Sequence, residues 1–142
     1  MQPCRDRLAL REEVLWWVEL AQRNLKRAED AMGVPDYAEA VFWCHQAVEF
    51  ALKAYVLWKG ELPVKTHNLL KLVRQAGLED AFPRHELAEL SPYYSISRYP
   101  DVFEGVPEVE EETARRFYDL ASTVVEEIKE MVGLGGRGAG RS

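Results

Sequence analysis

The sequence predicts an all-α fold, an up-and-down four-helix bundle with one additional short helix. Apolar residues recur at spacings of three and four through long stretches, and glycine and proline punctuate those stretches at regular points. No alternating strand pair, internal repeat or sustained heptad competes with this pattern. A chain of 142 residues with 47% hydrophobic and 30% charged content is expected to bury one core.

The first helix is expected from about Arg7 to Met32, with Leu10, Val14, Trp17, Val18, Ala21, Leu25 and Ala28 on its inner side. Gly33, Pro35 and Asp36 supply a stop, a turn and the N-cap of the next helix. That second helix should run from Tyr37 to Lys59 and bury Val41, Cys44, Val48, Ala51, Leu52 and Tyr55 before Gly60 ends it. Thr66 is the expected N-cap of a third helix through Ala76, closed by Gly77, and Pro83 opens a short fourth up to Leu90. Residues 91–105 carry no helical period. A last helix starting at Pro107 carries Phe117, Leu120, Ala121, Val124, Ile128 and Met131 inward, with glutamates favoured by the dipole in its first turn. The domain thus spans 1–132, and the glycine-rich 133–142 reads as a flexible tail.

No apolar run approaches the roughly 20 residues of a membrane span, and Arg5, Asp6, Arg7 and Arg11 replace a signal peptide's apolar centre, so a cytoplasmic protein without membrane contact is expected. Cys4 and Cys44 are too few for a disulfide framework and are read as reduced. With 24 acidic against 18 basic residues, the net charge of −6 excludes coating of nucleic acid by bulk electrostatics and leaves only a local basic cleft. The long first helix and Trp16, Trp17, Trp43 and Trp58 offer more apolar surface than a thin bundle covers, which predicts a homodimer.

Two regions could carry chemistry. Phe42, Gln46, Glu49 and Lys53 follow spacings of four, three and four along one stripe of the second helix, where Glu49 before Lys53 is also a stabilising ion-pair order. His45 and Glu49 are four apart, as two metal ligands can be, but neither His67 nor His85 completes such a set, so no metal and no cofactor is expected. The second region is the stretch Tyr93-Tyr94-Ser95-Ile96-Ser97-Arg98-Tyr99-Pro100-Asp101, whose tyrosines serve equally as packing anchors and whose Asp101 can pair with Arg98.

Three blocks, Phe42 to Ala54, Lys65-Thr66-His67-Asn68-Leu69, and Tyr93-Tyr94 through Ser97-Arg98-Tyr99-Pro100-Asp101, together resemble the prokaryotic HEPN domain over roughly Trp17 to Met131. The resemblance implies four long helices and a short one, similar to the bundle of kanamycin nucleotidyltransferase. It further implies a homodimer, often paired with a minimal nucleotidyltransferase in a toxin–antitoxin-like system, and contact with a nucleotide or RNA. Arg98, Gln46, Glu49, Lys53, His67, Tyr99 and Asp101 are the binding residues so expected.

Many members of that family are metal-independent ribonucleases whose motif is an arginine followed a few positions later by a histidine. Arg98 matches the arginine, but the histidine's place holds Phe103, Glu104 and Gly105. Cleavage needs one group to take the 2′-hydroxyl proton and another to protonate the departing oxygen, and phenylalanine does neither. The first expectation is therefore a binding module. A ribonuclease using Arg98 with Glu104 or His67 as substitute base, and a subunit that only covers a partner's apolar surface, are the rivals.

Overall fold

The computed structural model describes residues 7–134; Cys4 and the glycine-rich segment from residue 135 lie outside them. Among the described residues six helices follow one another: α1 (Arg7–Gly33), α2 (Tyr37–Trp58), α3 (Leu69–Ala76), α4 (Arg84–Leu90), α5 (Tyr93–Ile96) and α6 (Glu111–Met131). α1, α2 and α6 are the long members of the bundle, and α3 is a short fourth packed on α2. None of these helices is long and apolar enough to cross a membrane.

α1 and α2 pack on each other along their length because the turn between them is short. Ala31 O accepts from Asp36 N at 2.7 Å, and the Asp36 carboxylate, the expected N-cap, accepts from Glu39 N at 3.3 Å. The main core gathers Val48 and Leu52 from α2, Leu72 from α3, Leu87 from α4, and Phe117, Val124 and Ile128 from α6. A smaller cluster of Val14, Val18, Ala54 and Leu57 closes the α1–α2 seam, and Leu134 packs against it. Cys44 is fully buried, and burial, with Asp119 nearby, pushes its thiol up to about 12.

The elements depart from the sequence reading in four places. Asn68, not Thr66, caps α3: its Oδ1 accepts from Leu70 N at 2.9 Å and Lys71 N at 3.2 Å, while Thr66 Oγ1 accepts from Asn68 N and shapes the approach. Tyr55 is half-buried and packs against the main core without lying inside it. Residues 93–96 form α5, a single turn too short to show a period. α6 begins at Glu111 instead of Pro107, with Glu110 extended at its N-cap.

Candidate functional site

The stripe on α2 is the floor of the site, and α5 with the turn after it lies across that floor. Each polar residue of the stripe has a partner. Glu49, 1% exposed, accepts from Lys53 Nζ at 2.9 Å on one carboxylate oxygen and from His67 Nδ1 at 3.0 Å on the other. A carboxylate this deep is tolerable only because both oxygens are satisfied by charge or hydrogen bonds. Lys53 Nζ also stands 5.8 Å from the ring centroids of Trp17 and Phe50, so its charge is partnered by aromatic faces.

His45, on the same helix and fully buried, has Nε2 at 2.9 Å from the His67 carbonyl and Nδ1 at 3.0 Å from Gln46 Oε1, two groups that both accept. Because a backbone carbonyl only accepts, Nε2 carries the proton, and neutral His45 receives at Nδ1 from the Gln46 amide when its nitrogen is turned inward. Burial holds the imidazole below its ordinary pKa, against the opposing pull of Glu49. His45 and Glu49 are thus consumed in pinning the segment before α3, which fixes where His67 stands.

Tyr94 of α5 stacks on His67, with ring centroids 3.6 Å apart and planes inclined by 12°. It also lies 5.8 Å from Phe42, and the Arg98 guanidinium carbon sits 3.5 Å over the Phe42 ring. From Arg98 two nitrogens reach the Glu39 carboxylate, each at 3.4 Å, and Glu39 accepts in addition from Trp43 Nε1 at 3.2 Å. Aromatic faces therefore link a surface arginine at one end of the stripe to a buried carboxylate–histidine–lysine group at the other.

The structure brings Glu49, Lys53 and His67 into one hydrogen-bonded group and sets Gln46 beside it on His45. Arg98 stands at the Phe42 end and pairs with Glu39, not with Asp101; none of its hydrogen bonds goes to Gln46, Glu49 or Lys53. Tyr99 and Asp101 are exposed on the turn beyond it. Glu104 is exposed in a left-handed backbone conformation, φ 58°, and His85 stands on α4 against Glu89 at 3.3 Å, away from the stripe. Glu39 is the residue the sequence reading missed. Its signal was present, since the spacing Glu39, Phe42, Gln46, Glu49, Lys53 simply continues the stripe one turn toward the start of α2.

An all-helical bundle whose polar stripe is roofed by an arginine-bearing loop defines a class of small helical domain. The chain belongs to the HEPN family, whose family model, the HEPN domain, matches residues 14–131. Two solved structures are similar to it. TT1696 from Thermus thermophilus shares 30% identity with a TM-score of 0.69, covering 82% of this chain and 96% of that one. ST0689, described as an archaeal HEPN homologue, shares 26% identity with a TM-score of 0.68, covering 84% and 97% respectively. No curated protein matches the sequence.

Proposed function

We propose that this HEPN domain is a homodimeric module that binds RNA or a nucleotide at the Arg98 end of the stripe. In this reading it acts beside a minimal nucleotidyltransferase in a toxin–antitoxin-like system. The observation that carries the reading is the state of Arg98. Its guanidinium is braced over Phe42 at 3.5 Å, its side chain is 36% exposed, and its two contacts to Glu39 are long at 3.4 Å. A guanidinium has five N–H donors, so those turned away from Glu39 are free to grip a phosphate oxygen pair without dismantling the brace. The family is often associated with nucleotides and RNA and its domains often dimerise, which agrees with this use.

The test is fluorescence anisotropy with single-stranded RNA in chelator. Arg98→Ala should weaken binding about tenfold to a hundredfold, the worth of a charge-assisted hydrogen bond. Equal affinity in the two proteins would sink the reading.

One observation favours a second reading, the ribonuclease. With Glu49 accepting from Nδ1, the His67 proton is fixed there and Nε2 is left as the basic nitrogen of the ring. In the binding-module reading the same RNA stays intact over the assay. Robust cleavage that disappears in His67→Ala would reverse the order of the two readings.

A further inference from the structure

The outer side of α1 carries exposed large apolar side chains, and the groove beside it shares only Trp17 and Lys53 with the site described above. Trp16 is 61% exposed, Leu15 beside it 44%, and across a groove Leu62 and Val64 of the α2–α3 connection are 59% and 43% exposed. That groove has a volume of about 780 Å³ and is walled by Trp17, Leu20, Leu57, Leu62 and Val64, with Trp16 on its edge. Glu13, Lys53 and Lys65 mark its polar margin. Apolar patches of this kind, with charge at the rim, mark surfaces that another macromolecule covers.

The charge order along α1 says which one. Glu12, Trp16, Glu19 and Arg23 follow spacings of four, three and four, so they form one ridge, and all four are exposed. The ridge is acidic at its start, aromatic near its middle and basic at its end. Only a copy running in the opposite direction inverts that order: an axis between Trp16 and Glu19 sets Glu12 against Arg23 of the second copy, and Arg23 against its Glu12. A parallel copy would set like charges together. Arg23 already holds Glu19 at 2.7 Å, and its fork has donors left for a second carboxylate.

We propose that two copies of this chain meet antiparallel across the α1 ridge, each Trp16 seated in the other's groove. A face that meets itself is the signature of two-fold association, and a large aromatic anchor in a reciprocal pocket concentrates its affinity. The inference rests on the homodimer proposed above and adds the surface that makes it.

Light scattering and sedimentation equilibrium on the full chain test it, with circular dichroism as the check on folding. The native chain should be dimeric, and Trp16→Glu, at an exposed position, should stay helical while its dissociation constant rises about thirtyfold or more. Glu12→Arg should weaken the dimer, and Glu12→Arg combined with Arg23→Glu should restore it, because the pairing returns with reversed sign. A dimer unmoved by Trp16→Glu overturns the α1 surface and leaves the homodimer standing. A native chain that stays monomeric at high micromolar concentration overturns both, while RNA binding by Arg98, measured separately, is judged on its own result.

Discussion

The carboxylate of Glu49 has left water almost completely, and what makes this affordable is divided between a lysine one helical turn away and a histidine 18 positions on. The lysine was legible in the sequence as a favourable i, i+4 pair; the histidine was not, because its approach depends on the path of the α2–α3 connection and on His45 pinning the His67 carbonyl. The asymmetry gives a prediction. Lys53→Met should cost about 3 kcal/mol in urea unfolding, since it strands a buried charge, whereas Glu49→Gln together with Lys53→Met should recover most of that loss by removing the charge too. Equal destabilisation in the single and double variants would show that the ion pair is not what the fold depends on.

At the scale of the element, periodicity located the long helices well and failed where helices are short. α1, α2 and α6 each offer several turns of apolar repeats, while α5 offers one turn, whose only local marker is Pro92 at its N-cap. Competing side chains also mislead: Thr66 and Asn68 are both good caps, and the choice between them follows from where Leu69 N is already satisfied, by Ser91 Oγ at 2.9 Å. Asn68→Ala should therefore destabilise the domain by about 1 kcal/mol, and Thr66→Ala by clearly less, in the same denaturant titration. The element matters to the site because His67 lies directly before its cap. The alignment of Gln46, Glu49 and Lys53 along one face of α2 was legible from spacing, while their candidacy as site residues came from the family resemblance; the position of Arg98 over Phe42 depends on the fold of the turn after α5, which no local rule specifies.

For the whole molecule, the buried imidazole of His45 makes stability depend on pH. Its folded pKa is held below the ordinary 6.5 by burial, opposed by Glu49 and by hydrogen bonds to Gln46 and the His67 carbonyl. Above about pH 6.5 neither state binds the proton; as pH falls below it, the unfolded chain takes up a proton that the native bundle refuses, so stability declines until the lowered folded pKa is reached. Thermal unfolding should show Tm dropping between about pH 7.5 and pH 5, and His45→Gln should flatten the histidine's share of that drop. Identical slopes in the two proteins would mean that His45 titrates alike folded and unfolded.

The bundle also carries its own reporter of opening. The thiol of Cys44, fully buried and pushed up to about 12, is protonated throughout the physiological range and behaves as a small hydrophobe. Alkylation requires the thiolate and a path to reagent, and the packed core supplies neither. In a chain lacking the thiol of Cys4, the labelling rate at Cys44 thus counts excursions in which α2 parts from its neighbours, a clock for local unfolding that needs no introduced cysteine.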